Sequence, residues 1–362
     1  MDYPQKNPVP LPASGASQAI QATIDTVFDW QYALKEKKLL ALYEKGKSLS
    51  WNATDLDWST DVDVERLARE AQIDVFMNTL MDPPKKFTLD TAVQFRLHMN
   101  AFMLSQFLHG EQGALIATAK IVQTAPTEEA KFYAANQVAD EARHVEVYHR
   151  YLTEKLGLSY EVHPSLAGLL KDIVEDSRWD VTYLGMQIMV EGLALAAFGM
   201  MRLVMQSEPL IQDITGRIMQ DESRHVAFGV LSLADLYTGQ LSATELRERE
   251  DFVIESTALL RERLLMQPVF ERLGWDSSIW VPWMTNTPFQ RGFRQMMFSK
   301  IVPNLRRLGL LTPRVRQAFD KLDILRFENE KDSVEEPEVA PPAELVQMLM
   351  SYMAGQGTTP AG

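Results

Sequence analysis

The sequence writes Asp-Glu-x-Arg-His-Val twice, at Asp140 to Val145 and again at Asp221 to Val226. No other feature constrains the chain as tightly. In each copy a glutamate and a histidine stand three residues apart, Glu141 with His144 and Glu222 with His225. On an α-helix that spacing sets both side chains on one face about a turn apart, so each pair can grip one metal ion. Two solvated helix faces with Glu–His pairs would place no demand on the aspartate, arginine and valine, yet the repeat keeps all three.

The repeat extends upstream. Glu111 lies thirty residues before Glu141, and Glu191 thirty-one before Glu222; alanine and leucine follow each at the third and fourth positions (Ala114, Leu115; Ala194, Leu195). A separation of about thirty carries a chain from mid-helix, round a short loop, to the matching level of an antiparallel neighbour. Four helices then aim four carboxylates and two imidazoles at one level. One Glu from each of two helices, with Glu-x-x-His from each of two others, is the ligand set of a di-iron or di-manganese carboxylate site. Charge supports the count, because two divalent ions neutralise four glutamates and the whole can be buried.

The chain has no cysteine, which excludes disulfides, thiolate zinc sites and protein-bound iron–sulfur clusters and leaves histidine and carboxylate as the metal donors. A net charge of -13 offers no basic patch for nucleic acid or an anionic membrane surface. The opening MDYPQKNPVPLPASG lacks an apolar core and does not read as a secretory signal, so a cytoplasmic location is expected.

The class is all-α, and the expected organisation is a disordered segment over 1–17, one helical domain over 18–327 and an acidic, proline-rich tail over 328–362 with a short helix at 343–353. Apolar spacing predicts helices from Gln18 to about Ser50 and from Val64 to Leu80. Four long helices follow at about 90–123, 127–156, 179–206 and 208–237, stopped by Gly157 and Gly239 where punctuation is clearest. A capping box at Ser242 and Glu245 opens a helix that runs to Pro268. Shorter helices fill Thr287 to Asn329, interrupted at Pro303 and Pro313. The third long helix is apolar on nearly every face, but Glu191 sits in its middle, which argues for a buried central helix and against a membrane span.

The other repeated residues acquire roles beside the metal ligands. Asp140 and Asp221 are placed to accept the second N–H of a ligating imidazole, each serving the histidine of the opposite half, with Arg143 and Arg224 holding them. Phe107, Leu115, Leu195 and Phe198 are the apolar residues expected to line a substrate pocket.

Residues 90–237 resemble the ferritin-like superfamily of non-haem di-iron carboxylate proteins, which contains the radical-bearing subunit of ribonucleotide reductase, multicomponent monooxygenase hydroxylases, acyl-carrier-protein desaturases and arylamine N-oxygenases. The resemblance implies a ferritin-like four-helix bundle with added terminal helices. It implies Glu111, Glu141, His144, Glu191, Glu222 and His225 as ligands of two iron ions, a Mn/Fe pair being an alternative. The branch stays open. Ile218 stands where arylamine N-oxygenases of this type carry an extra histidine, Leu195 where hydroxylases favour threonine, and Glu111 where the reductase subunit commonly has aspartate, while Tyr148 keeps that subunit's tyrosine position. The leading reading is an oxygenase or oxidase that activates dioxygen and hydroxylates, desaturates or N-oxidises a small, largely apolar organic substrate. No flavin or nicotinamide fingerprint is present, so electrons are expected from an external donor or reductase. The alternatives are a ferroxidase or ligand-binding di-metal protein without organic turnover, and a subunit of a larger complex bearing a tyrosyl radical at Tyr148. A homodimer is left open.

Overall fold

A computed structural model describes residues 17–205 and 207–335, and among them there are helices and no strand. The expected short helix at 343–353 and most of the expected N-terminal segment and acidic tail lie outside the described residues. In chain order the helices are α1 (Lys37–Ser48), α2 (Val64–Glu70), α3 (Ile73–Leu80), α4 (Leu89–Thr124), α5 (Glu128–Arg150), α6 (Pro164–Glu175), α7 (Trp179–Tyr183), α8 (Glu191–Val204), α9 (Pro209–Gly239) and α10 (Ala243–Arg263). There follow α11 (Gln267–Arg272), α12 (Ser277–Asn286), α13 (Pro288–Met297), α14 (Ile301–Arg307) and α15 (Pro313–Lys321).

Four of these rods form the bundle. Helix α4 packs along α5, α8 along α9, and α5 meets α9. The loops inside each pair are short, which forces antiparallel neighbours. Local chemistry sets the ends. The Thr88 and Thr127 side chains accept from the amides of Thr91 and Ala130, satisfying donors that the first turn leaves orphaned. Glu208 accepts from Leu210 and Ile211 before Pro209 opens α9, and the Tyr151 hydroxyl donates to the same carboxylate at 2.9 Å. Gly157 ends the second rod in the left-handed region at φ 62°, which suits a residue without Cβ.

The third rod is not uniform. Helix α7 passes into a π-helical stretch, Leu184–Val190, and regains α geometry at Glu191. Such a widened turn is uncommon and often lies beside a functional site. This rod holds the one described helix long and apolar enough to cross a membrane, Trp179–Leu203, and 89% of its most apolar stretch is buried, the pattern of a core helix. The main hydrophobic core fills the bundle; a second cluster packs Phe87 and Phe95 against Trp275, Trp280 and Trp283 and anchors the start of α4.

Several expected helices differ. Residues 18–36 are not helical: the chain enters α1 only at Lys37. The Val27 amide donates to the Gln123 carbonyl at 2.9 Å, and those of Lys35 and Glu36 donate to the Glu129 carboxylate, so this segment satisfies backbone donors on the bundle instead of within itself. Its apolar residues find no core, and Phe28 and Trp30 are 66% and 73% exposed. The predicted helix from Val64 to Leu80 is broken between α2 and α3, where Gln72 has φ 47°. Pro303 does not interrupt a helix. It is the third residue of α14, inside the first turn, where no N–H is required of it.

Candidate di-metal centre

The repeated motif and its upstream glutamates converge. Glu111 comes from α4, Glu141 and His144 from α5, Glu191 from the first position of α8, and Glu222 and His225 from α9; every one is buried. One donor atom each from Glu111, Glu141, His144 and Glu222 lie within 4.8 Å of one another, and so do atoms from Glu141, Glu191 and His225. His144 Nδ1 stands 3.3 Å from Glu111, 3.4 Å from Glu141 and 3.2 Å from Glu222. His225 Nδ1 stands 3.2 Å from Glu141 and 3.3 Å from Glu222.

The other imidazole nitrogens cross between halves. His144 Nε2 faces Asp221 Oδ2 at 3.1 Å, and His225 Nε2 faces Asp140 Oδ2 at 3.3 Å. An acceptor at Nε2 fixes the proton there and leaves the Nδ1 lone pair turned toward the glutamates. Arg143 donates to Asp140 and Arg224 to Asp221. Gln137 donates to Glu141 and to Glu191, each at 2.9 Å.

Protein groups alone set an unusual protonation pattern. Burial, then the negative charge of Glu222, raises Glu111 and Glu191 well above the usual carboxylate range. Burial works against the charged imidazoles, yet hydrogen bonds to Asp221 and three glutamates raise His144, and Glu222 and neighbouring groups raise His225. Burial opposes ionisation of Asp221 too, but the bond from His144 and the charges around it hold this carboxyl down to about 2. Glu141 is likewise lowered, against its own burial, by the two imidazoles.

Those carboxylates crowd one another in a dry core. Glu141 Oε2, Glu191 Oε2, both oxygens of Glu222 and His225 Nδ1 are buried without a hydrogen-bond partner. Orphaned hard oxygen and imidazole donors aimed at a common centre fit divalent iron or manganese, and a pair of such ions removes the repulsion.

Of the four apolar residues expected around a pocket, only Phe107 borders the cavity beside the cluster. That cavity, of about 20 Å³, is flanked by Ala114 and Ala194, the third positions after the first glutamates, whose small side chains leave room. Leu115 and Leu195, one residue on, are rotated away by a helical step. Leu195 is buried in the core, and Phe198 packs on Phe107 at 4.6 Å and on Tyr148 at 6.1 Å. Tyr148 is fully buried, its hydroxyl has no partner, and burial raises its pKa well above the ordinary value.

Sequence reasoning missed two residues. Trp51, just after α1, donates its indole N–H to Asp221 at 2.8 Å. Arg263, the last residue of α10, borders the cavity. Trp51 and Asp221 lie 170 residues apart, and so distant a contact leaves no local pattern.

No family model matches this sequence. Among solved structures, the fold is similar to the dimanganese(II) NrdF of Streptococcus sanguinis, at 14% identity, with 81% of this chain and 98% of that one covered and a TM-score of 0.50. It is also similar, more loosely, to an R2-like ligand-binding oxidase with an aerobically reconstituted Mn/Fe cofactor, at 15% identity, with 78% and 93% covered and a TM-score of 0.47. At such identity the likeness is one of fold.

Proposed function

The fold is the ferritin-like one of di-metal carboxylate proteins, and we propose that the chain is a non-haem di-metal oxidoreductase that activates dioxygen and oxidises a small, largely apolar organic molecule. The carrying observation is the convergence of six buried donors, with orphaned carboxylate oxygens, from four helices. Glu111, Glu141, His144 and Glu222 would hold one ion and Glu141, Glu191, His225 and Glu222 the other, as iron or as a Mn/Fe pair. Bound there, redox-active ions would supply the electrons and Lewis acidity that dioxygen activation needs.

The protein's own share is positional. Asp221 and Asp140 hold the imidazoles in one tautomer, and Arg224 and Arg143 hold the aspartates. Gln137 ties Glu141 to Glu191 across two helices. Phe107, Phe198 and Tyr148 form an aromatic wall that excludes water from a reactive centre. Electrons come from an external donor. Hydroxylation, desaturation and N-oxidation all suit such a centre.

The test is anaerobic loading with iron(II), addition of dioxygen and an artificial reductant, and oxygen-uptake measurement with labelled dioxygen traced into small molecules of a cell extract. The reading expects uptake that requires the metal and label or dehydrogenation in a small organic product. Metal-loaded protein that consumes no dioxygen would overturn it.

A further inference from the structure

We propose that the cleft where the C-terminal ends of α10, α12 and α15 meet the side of α13 binds a diphosphate group, free or as the head of an organic diphosphate. The cleft shares no described lining residue with the cavity beside the cluster, and the inference does not rest on the di-metal reading.

Four cations, Arg261, Arg291, Arg294 and Lys321, line this cleft with one carboxylate, Asp323. Four against one leaves a surplus of three positive charges, on a chain whose net charge is -13. A cation near a helix C-terminus often does no more than cap the last carbonyls. That accounts for Arg294, which is buried and donates to the carbonyls of Met284 and Thr285 at the end of α12. Those bonds take two of its five N–H donors and leave three. Arg291 forks onto Asp323 at 2.7 and 3.3 Å, so the one carboxylate is already engaged. Capping does not account for Arg261 and Lys321. Their side chains make no hydrogen bond or ion pair among the described residues, and Arg261 Nε is buried without a partner. Burial, then the charges of Arg261 and Arg291, pulls the Arg294 pKa down to about 10, so the three guanidinium groups repel one another at close range while all stay charged at neutral pH. Like charges gathered round an open space, one with an orphaned donor, are what a bound polyanion neutralises.

Charge and room together select the anion. A phosphate monoester carries at most about two negative charges at neutral pH, and an ester of diphosphate about three, which matches the surplus. Phosphate oxygens also suit guanidinium forks, which grip them through paired N–H donors. The cleft measures about 200 Å³, more than ten times the roughly 15 Å³ that one water requires, so two linked phosphoryl groups have space. Leu322 is the one apolar residue among its described walls, so the cleft offers little to a nucleobase or a hydrocarbon chain. It recognises the head of the ligand and leaves any organic body outside.

Calorimetric titration of the full-length protein with pyrophosphate, ADP, AMP and inorganic phosphate tests this. Pyrophosphate should bind at least about tenfold more tightly than phosphate, and its affinity should fall as salt is added. ADP that matches pyrophosphate and exceeds AMP assigns the site to the head of an organic diphosphate; pyrophosphate bound with ADP shut out assigns it to the free ion. Arg261→Gln should weaken pyrophosphate at least about tenfold. Asp323→Asn should strengthen it several-fold, because the one opposing carboxylate goes and the Arg291 fork is released. Asparagine tolerates the left-handed backbone that Asp323 adopts at φ 59°, so this exposed substitution decides the matter if Arg261→Gln does not fold. A merely structural Arg291–Asp323 pair would give no such gain. Pyrophosphate that binds no more tightly than phosphate, binding that survives Arg261→Gln unchanged and so belongs to a bound metal or another surface, or an affinity that does not rise in Asp323→Asn would overturn the proposal.

Discussion

The two halves of the repeat are near twins in sequence and unlike in surroundings. Tyr148 occupies the position after the first motif that Gly229 occupies after the second, and Phe107 stands four residues before Glu111 as Gln187 does before Glu191. In the first half these positions build an aromatic wall, with Phe107 and Tyr148 at 5.9 Å. In the second, a Cβ on Gly229 would stand 2.5 Å from that of Gln187, so the glycine is what lets the π-helical stretch approach α9. The aspartates differ as well. Asp221 receives the Trp51 indole, whereas Asp140 receives the Asn136 amide from its own helix at 3.2 Å. The repeat thus specifies donors, and residues outside it make the two metal positions inequivalent.

That inequivalence can be broken by mutation. Asp221→Asn should lower metal affinity about 10- to 100-fold, measured by competition with a chelator, because an amide is a poorer acceptor for the His144 N–H. Asp140→Asn should fall at the lower end of that range, having no indole to leave unpaired. Equal losses would mean that Trp51 adds nothing to the second half.

The next largest effect is steric. Gly229→Ala should destabilise the fold by about 1–3 kcal/mol in chemical denaturation, since the new methyl group must displace Gln187. An unchanged midpoint would show that the π-helical stretch yields easily.

The acidities supply a smaller lever. Glu111, Glu191 and both imidazoles are raised, so the metal-free cluster keeps protons to higher pH than free side chains would and an incoming ion must displace them, whereas the lowered Glu141 gives its proton up early. Metal affinity should therefore rise with pH, by about tenfold per unit for each proton released, and fall on acidification. A pH-independent titration would remove this pattern.

Tyr148→Phe should matter least. The hydroxyl is buried without a partner, so its loss should leave stability within about 1 kcal/mol of the parent and keep most turnover. A persistent tyrosyl radical signal after dioxygen, absent from this variant along with all activity, would instead favour the radical-subunit reading.

What the sequence displayed is what periodicity and repetition can carry. The four rods were legible because their apolar faces and end caps are local, and the six converging side chains because they recur at matched spacing. Trp51 and Arg263 were not, since each acts through a tertiary contact far along the chain. The strap over 18–36 carries helical spacing yet has no surface to bury that face against, and its backbone donors go elsewhere. The cavity opens at Ala114 and Ala194 rather than at the neighbouring leucines, a rotation of one helical step that residue type alone does not reveal.

The most direct test of the di-metal account is the metal content of the purified chain after anaerobic loading, by plasma mass spectrometry, for the parent and for Glu191→Ala. The account predicts about two ions per chain in the parent and fewer in the variant, because one of the donors of the second position has gone. No bound metal in the parent, or the same two ions in Glu191→Ala, would contradict it.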